Sequence, residues 1–363
     1  MKKRILHIGT SGGRGGIETF ILNISSQMDK SQYSFSIIAD CEKAIIEEEF
    51  QKIGEVIYIP AITKDKLGYL KGIWCAIDKK KYDIVHIHKN SLSNPFPILV
   101  CKMKGIKSVI LHSHNTMPTN KGANVLIHKI FRKILNIYSL KRIACSRLAA
   151  EWMFGSNSNK EVVILKNGID TNKLRFNKVL RKKKREELKI NDDSFAICSV
   201  GRLSEQKNTI FILKVFEEIC TKKDNAHLFL IGDGPLKDKA QAYADLSKYH
   251  NNIHFLGVRQ DIPDILQGMD LFLMPSLYEG LPIAAIEAQS TSLPLLIADT
   301  VDSDVKILDS TEFESLDSSP EIWAAHSLEL VQKNERRDVS EQMCCSGYDL
   351  NKTALDLTKL YYG

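Results

Sequence analysis

Short β-rich runs alternate with amphipathic helical stretches along most of this chain, and the alternation begins anew near its middle. The first series of strands is predicted at residues 4–8, 35–39, 56–59, 84–88 and 109–111. The second follows a basic, helix-prone segment and comprises FAICSV, HLFLIG, NIHFLG, DLFLMP and LPLLIA. Strands that alternate with helices form parallel sheets covered on both faces. The pattern therefore predicts an α/β protein with two such sheets.

The length of 363 residues also favours two domains, because single cores rarely grow beyond about 250 to 300 residues. Turn chemistry around the Asn-Gly pair at 167–168 places the connection between about 167 and 191. We predict an N-terminal domain over 1–170, a C-terminal domain over 171–350, and a terminal helix, 351–363, that packs back on the core.

Composition excludes several classes of protein. No window approaches the roughly 18 apolar residues of a transmembrane helix, and the basic N-terminus lacks a cleavage site, so a cytoplasmic location is predicted. The eight cysteines include no C-x-x-C pair, which indicates reduced thiols rather than a metal site. Residues 1–178 carry a net charge of about +15 and the remainder about −9, so the two halves are expected to meet different partners.

The segment PSLYEGLPIAAIEAQ places two carboxylates beside a predicted helix N-terminus. Pro282 is predicted in the first helical turn, Glu279 in the turn before it, and Glu287 about one and a half turns beyond. One carboxylate can then meet a sugar and the other a ribose, while the amides of Gly280 and Leu281 suit a diphosphate. A capping carboxylate and a solvated glutamate explain the spacing equally well.

The segment GRLSEQKN follows a predicted strand and places two cations at its carboxyl end. Ligands of parallel sheets bind at this end. Arg202 and Lys207 can therefore clamp a diphosphate and offset the charge of a departing nucleotide. The alternative is a solvated turn.

The glycine-rich loop GTSGGRGGIE joins the first strand to a helix. Backbone amides at Gly15 and Gly16 can approach phosphate oxygens closely. Glu18 stands where the third glycine of a dinucleotide fingerprint is required, so binding of NAD is not expected.

Two histidine pairs end strands of the first domain. His86 and His88 form one pair, His112 and His114 the other, and we predict that the members of each pair point to opposite faces of the sheet. With no carboxylate cluster nearby in the sequence, a zinc site is not predicted. We favour His114, with Asn115 beside it, at the substrate, and His112 is the alternative.

The stretch 125–142 has an apolar side and a basic side at helical spacing. Such a helix can lie on an anionic membrane, and it can equally be a cover helix with a solvated basic face. A peripheral contact at the inner face of the plasma membrane is therefore left open. Nucleic acid is not an expected partner, because the chain has no recognisable nucleic-acid-binding motif.

Taken in order, the glycine-rich loop, HSHNT, NGID, GRLSEQKN, LIGDGP, FLGVRQDI and PSLYEGLPIAAIEAQ resemble the family 4 retaining glycosyltransferases over nearly the whole chain. Within this family, the combination of motifs resembles that of the bacterial capsular or exopolysaccharide branch. The resemblance implies the GT-B fold, in which two Rossmann-like domains face each other across a cleft.

The resemblance also implies a role for each motif residue. Those assigned to catalysis or to the nucleotide are Glu279 at the donor sugar, Glu287 at the ribose, Arg202 and Lys207 at the diphosphate, Gly15 or Gly16 at the phosphates, and His114 at the reaction centre. Further substrate contacts are implied for His112, Asn115, Arg259, Gly280, Leu281 and Pro282.

By this resemblance the chain moves a hexose or N-acetylhexosamine from a nucleoside diphosphate sugar, UDP by analogy, to a glycan or lipid-linked acceptor in surface polysaccharide synthesis. Retention of anomeric configuration is implied, and no cofactor or metal is expected. Two alternatives stay open. A sugar-nucleotide 2-epimerase has a similar fold but would not need the helix with two glutamates. A non-catalytic partner subunit would not need the full set of Arg202, Lys207, Glu279 and Glu287.

Overall fold

The structure is a computed structural model that describes residues 2–13, 15–115, 123–135, 138–156 and 162–362. It divides into two compact units, which we call the N-terminal unit, Met1–Gly168 with Leu350–Gly363, and the C-terminal unit, Ile169–Asp349. The boundaries expected from the sequence, after 170 and after 350, lie within two residues of these divisions. In the described part of the chain, no helix is long and apolar enough to cross a membrane.

The N-terminal unit is a parallel seven-stranded sheet with helices between its strands. Its elements are β1 Lys3–Thr10, α1 Gly16–Gln27, β2 Tyr33–Ala39, α2 Glu47–Ile53, β3 Gly54–Tyr58, α3 Lys66–Ala76, β4 Ile84–Lys89, α4 Phe96–Met103, β5 Ser108–Ser113, α5 Ala123–Ile134, β6 Lys141–Ala144, α6 Arg147–Phe154, β7 Val163–Ile164, and the terminal helix Leu350–Tyr362.

The strand order is β3-β2-β1-β4-β5-β6-β7. The chain first builds the sheet outward from β1 through β2 and β3, then returns to the other side of β1 with β4. The loops that follow β1 and β4 therefore leave the sheet in opposite directions and open a crevice between them, which is where open α/β sheets bind ligands.

The terminal helix belongs to the N-terminal unit, where it packs beside α1. Leu350, Leu357 and Tyr361 are buried in the same apolar cluster as Ile5 and Ile24. The Lys3 ammonium donates to the Tyr361 carbonyl over 2.7 Å. Burial of an apolar stripe at helical spacing explains why the chain returns here after leaving the C-terminal unit.

The C-terminal unit is a parallel six-stranded sheet of the same construction. Its elements are α7 Lys178–Glu187, β8 Phe195–Val200, α8 Thr209–Cys220, β9 Ala226–Ile231, α9 Lys237–Leu246, β10 Ile253–Gly257, α10 Ile262–Gly268, β11 Leu271–Met274, α11 Ile283–Ser290, β12 Leu295–Ala298, β13 Thr311–Glu314, α12 Pro320–Lys333 and α13 Ser340–Cys345, with single 3-10 turns at His250–Asn252 and Ser303–Val305.

The strand order β10-β9-β8-β11-β12-β13 again reverses once, between β8 and β11. Apolar side chains under α8 and α12, including Phe216 and Trp323, fill the core on one side. At the amino end of β11, guanidinium groups satisfy the carbonyls of the preceding turn. Arg185 donates to the Gly268 carbonyl and Arg336 to the Met269 carbonyl. These bonds stabilise the turn that leads into β11.

One helix predicted from the sequence is wrong in its second half. The basic helix predicted over 125–142 ends at Ile134, and residues 141–142 belong to strand β6. Arg142 is buried in that strand, where its guanidinium lies 5.6 Å from the Phe154 ring and donates to the Leu135 carbonyl. Because Arg142 is charged, the sequence pattern assigned it to the solvated basic face of a helix. Residues 136–137 lie outside the described residues.

Candidate active site

Two loops border the crevice between β8 and β11, and they are hydrogen-bonded to each other. The Leu277 amide donates to the Gln206 carbonyl over 2.8 Å, and the Gln206 side chain donates to the Tyr278 carbonyl over 3.0 Å. The loop GRLSEQKN, after β8, is thereby fixed against the segment before α11. Two motifs separated by some 70 residues of sequence come together at the carboxyl edge of one sheet.

An ion pair joins these two loops. Nζ of Lys207 lies 2.5 Å from Oε1 of Glu279, and the Glu279 side chain is only 9% exposed. Gly201 makes room for the lysine: its φ is +152°, and a Cβ there would lie 2.8 Å from Cε of Lys207. A glycine at this position therefore serves both the backbone conformation and the path of the lysine.

Two further predicted site residues belong to the same two segments of sequence: Arg202 precedes Lys207, and Glu287 follows Glu279. Arg202 is exposed, and within the described residues no carboxylate forms an ion pair with it. Glu287 is half-buried on α11. The prediction for Pro282 is off by one position, because this residue caps the helix instead of occupying its first turn. Its ψ of 103° is not helical, since a helix begins only after the chain leaves the extended region.

Gly280 and Leu281 are buried next to this cap. Arg259 lies in the loop after β10, where its guanidinium makes a bidentate pair with Asp261 at 2.7 and 2.8 Å. Hydrogen bonds from Arg259 and Lys184 hold the pKa of Asp261 well below its ordinary value. Two of the Arg259 donors are thus already engaged within the protein.

The glycine-rich loop of the N-terminal unit is closed by the residue that breaks the dinucleotide fingerprint. Glu18 accepts from the Ser11 amide over 3.0 Å and from the Gly15 amide over 3.2 Å. Burial raises the pKa of Glu18 even though these amides favour its charged form. Gly15 caps α1, and beyond its own helical turn Gly16 faces open space, where a side chain would meet nothing within 4 Å. Arg14 lies outside the described residues.

The histidine pairs differ from their prediction. The rings of His86 and His88 are stacked 4.2 Å apart, and those of His112 and His114 lie 4.0 Å apart. The members of each pair therefore share one face, because side chains alternate along a strand and residues two apart point the same way. His7 of β1 joins them, with its ring 5.2 Å from that of His88. This fifth histidine was not predicted as a site residue.

Burial separates the two candidate histidines. His112 is fully buried, and the Phe20 ring contacts it edge-on at 4.9 Å. His114 is half-buried and follows β5, and Asn115 beside it is buried. Burial lowers the pKa of His114 to about 3, so its imidazole is neutral at physiological pH. Two histidine triplets, His7 with His86 and His88, and His88 with His112 and His114, place potential metal-ligand atoms within 4.8 Å of each other.

A second polar group at the N-terminal crevice was not predicted. Asp40 and Lys89, at the carboxyl ends of β2 and β4, line a cavity of about 130 Å³ with Tyr69 and Asn94. Burial raises the pKa of Asp40 to about 6 and lowers that of Lys89 to about 8. Both groups are charged at a cost to the fold, which is typical of functional sites. Their positions at strand ends were the available signal.

Two sequence families together match most of the chain. The profile described as Glycosyltransferase Family 4 matches residues 14–173, and the one described as Glycosyl transferases group 1 matches residues 181–341. The EpsF protein of Bacillus subtilis is 30% identical over 99% of this chain and 96% of its own length. The UDP-Gal:alpha-D-GlcNAc-diphosphoundecaprenol alpha-1,3-galactosyltransferase of Escherichia coli is 27% identical over 82% of this chain and 79% of its own.

Among solved structures, HepE of Anabaena in complex with UDP and glucose is similar to this chain. The two superpose with a TM-score of 0.77 at 16% identity, over 99% of each chain. At this identity the likeness concerns the fold. It confirms the predicted GT-B class with two Rossmann-like domains.

Proposed function

The chain belongs to glycosyltransferase family 4 and is a glycosyltransferase, and on that premise we propose that it transfers a hexose or N-acetylhexosamine from a UDP-sugar, with retention, to a glycan or lipid-linked acceptor in surface polysaccharide synthesis. The observation that carries the proposal is the contact between Lys207 and Glu279 at the β8–β11 crevice. This contact puts a cation suited to a diphosphate beside a carboxylate suited to sugar hydroxyls.

The proposed chemistry is a substitution at the anomeric carbon. The bond from this carbon to the diphosphate oxygen breaks, a bond to the acceptor oxygen forms on the same face, and the acceptor proton passes to the departing diphosphate. Arg202 and Lys207 stabilise the negative charge that builds up on the leaving group. Glu279 orients the sugar, and Glu287 binds the ribose hydroxyls.

The uridine nucleotide is proposed by analogy. The HepE structure holds UDP and glucose, and the E. coli relative is named for a UDP-galactose donor. That relative is also named for a diphosphoundecaprenol acceptor, which supports a lipid-linked acceptor here. No observation favours the epimerase or the non-catalytic alternative.

We further propose a peripheral contact with an anionic membrane through α5. Leu126 and Ile130 are 62% and 48% exposed on this helix, beside Lys129, Arg132 and Lys133. Exposed apolar side chains next to cations are typical of helices that lie on a bilayer surface. Vesicles with anionic phospholipid should bind the full chain, and Leu126→Asp with Ile130→Asp should abolish this binding. Equal binding to neutral vesicles would exclude the electrostatic contribution.

The transferase proposal is tested by nucleoside diphosphate release from a panel of UDP- and GDP-sugars, with a bacterial lipid-linked oligosaccharide as acceptor and with or without a chelator. We expect acceptor-dependent release from a UDP-sugar that the chelator leaves unchanged, and a product with retained configuration. Release from GDP-sugars alone would contradict the donor assignment. Loss of release with the chelator would contradict metal-independent transfer.

A further inference from the structure

Three histidines on neighbouring strands of the N-terminal sheet form a chain of hydrogen bonds. Nδ1 of His7 lies 2.9 Å from Nε2 of His88, and Nδ1 of His88 lies 2.9 Å from Nε2 of His114. His7 and His88 are fully buried, whereas His114 is half-buried at the end of β5. The chain therefore runs from the interior of the sheet to the residue proposed at the substrate.

The spacing is that of hydrogen bonds rather than of a metal site. Two nitrogen ligands of one tetrahedral zinc ion lie about 3.3 Å apart, because each Zn–N bond is about 2.0 to 2.1 Å long. Separations of 2.9 Å agree with an N–H donating to a nitrogen. Neither histidine triplet includes a carboxylate that would offset the charge of an ion in this buried position.

The protonation states of the three rings are coupled. Burial lowers the pKa of His7 and of His114 to about 3 and that of His88 well below its ordinary value, so each ring carries a single N–H proton. A neutral imidazole donates with one nitrogen and accepts with the other. Both hydrogen bonds can form only if His88 donates to one neighbour and accepts from the other, so that the two bonds run in the same direction.

The inner end of the chain selects that direction. Nε2 of His7 is buried and has no hydrogen-bond partner among the described residues. If the rings donate inward, His7 carries its proton on this nitrogen, and a buried N–H stays unsatisfied. If they donate outward, the same nitrogen is an unpaired acceptor. Orphaned buried N–H groups are rarer than under-satisfied acceptors, so the outward direction is favoured.

We propose that His88, supported by His7, is a positioning residue that holds His114 as its Nδ1–H tautomer, so that His114 donates a hydrogen bond to substrate and does not accept the acceptor proton. The role at substrate rests on the proposed function, whereas the tautomer does not. The inference agrees with proton transfer to the departing diphosphate, since His114 then has no free basic nitrogen: Nε2 accepts from His88, and Nδ1 carries the proton.

The tautomers can be read directly by NMR of the full chain labelled with 15N-histidine. Signals are assigned by their loss in His7→Asn, His88→Asn and His114→Asn. We expect proton-bearing Nδ1 and bare Nε2 in all three rings of the unsubstituted protein. An Nε2–H on His114 would overturn the proposal. Stoichiometric uptake of Zn(II) with loss of the ring N–H signals would overturn it as well.

Substitutions then test the role of His88. His88→Leu removes the donor to His114, so we expect its Nε2–H tautomer to become populated and kcat to fall about tenfold. His88→Asn offers an amide donor near the position of Nδ1 and should recover part of both. Tyr361→Phe is the matched control, because it deletes the 2.9 Å hydrogen bond to His86. His86 is equally buried and stacks on His88, but it is not part of the hydrogen-bonded series His7–His88–His114.

In this control the His114 tautomer should stay unchanged. A His88→Leu protein that folds, keeps His114 as Nδ1–H and retains its kcat would overturn the positioning role. An absence of transferase activity in the unsubstituted protein would contradict the proposed function and leave the tautomer measurement valid. The two failures are therefore distinguishable.

Discussion

The two units reverse their strand order at equivalent places, yet the side chains at these places differ in charge. Between β8 and β11 the C-terminal unit presents Arg202, Lys207 and Glu279 on two loops tied by hydrogen bonds. Next to the crevice between β1 and β4, the N-terminal unit instead carries a cluster of histidines whose pKa values burial lowers, including His88 and His114. The charged loops of the C-terminal unit are suited to a diphosphate. The neutral histidines of the N-terminal unit are suited to uncharged hydroxyl groups, although Asp40 and Lys89 add charge to the same crevice.

Apart from the crevices, histidines in the two units show how neighbouring carboxylates decide the charge of a partly or fully buried ring. In the C-terminal unit, burial lowers the pKa of His326, but hydrogen bonds with Glu312 and Glu314 outweigh burial and raise it overall. In the N-terminal cluster no carboxylate is a hydrogen-bond partner of the three chained rings within the described residues, and burial prevails. The three chained rings of the N-terminal unit are thus neutral, whereas His326 tends toward the charged form because two carboxylates contact its ring.

The largest effect is expected at the charged crevice. Arg202→Ala or Glu279→Ala should lower kcat by about a hundredfold or more, because each removes a group that acts on charge or orientation in the transition state. The measurement is steady-state turnover of the UDP-sugar. Lys214→Ala, at an exposed position on α8, is the control and should leave turnover unchanged. Normal turnover in both site variants would contradict the assignment of this crevice.

A smaller effect is expected at the ribose. Glu287→Ala should weaken UDP binding about tenfold with little change in kcat, because a hydroxyl contact is made equally in the ground and transition states. Titration calorimetry with UDP measures this. A fall in kcat without a change in affinity would instead place Glu287 at the sugar.

The pH dependence of stability tests whether Asp40 in the N-terminal crevice is held in a costly charged state. Its raised pKa, about 6, means that the folded chain keeps this proton to a higher pH than the unfolded chain does, so stability is lost as pH rises from about 4 to about 6. Asp40→Asn removes this loss. Relative to the unsubstituted protein, the variant should gain about 1 kcal/mol in free energy of unfolding between pH 4 and pH 7, allowing for partial exposure.

Urea unfolding of both proteins at the two pH values measures this gain. If the stability difference between the two proteins is the same at pH 4 and pH 7, Asp40 is not held in a costly charged state.

The smallest effect is expected at His326. Its raised pKa means that its contribution to stability is fully present below the unfolded value and is lost as pH rises through the folded value. His326→Gln should therefore lower Tm by about 2 °C at pH 6 and by less at pH 8. Thermal unfolding at both values measures this, and a larger loss at pH 8 would contradict the direction of the shift.

Much of the fold was predictable because hydrophobic periodicity identifies strands that are buried on both faces. All ten predicted strands are present, with ends shifted by a few residues. The strands that were missed, β6, β7 and β13, are short or carry charged residues such as Arg142 and Glu312. In these strands, charged side chains bury their hydrocarbon portions or pair with neighbouring residues. The amino-acid composition of such a strand therefore resembles that of a surface segment.

The candidate site was only partly predictable. Lys207 and Glu279 were identified from motifs, and their contact follows from topology, which places both loops at one crevice. His7 was missed because a single polar residue inside an apolar strand has no local signal of function. Asp40 was missed although its position directly after a predicted strand was a signal. Only the strand order brings His7 beside β4 and reveals the chain that it forms with His88.

The central claim is that the cations of the C-terminal crevice bind the diphosphate of the donor. Titration calorimetry of UDP and of uridine, with the unsubstituted protein and with Arg202→Ala, tests it most directly. We predict that the unsubstituted protein binds UDP at least about tenfold more tightly than uridine, a difference of about 1.4 kcal/mol, and that the preference largely disappears in the variant. An undiminished preference for UDP in Arg202→Ala would contradict the claim.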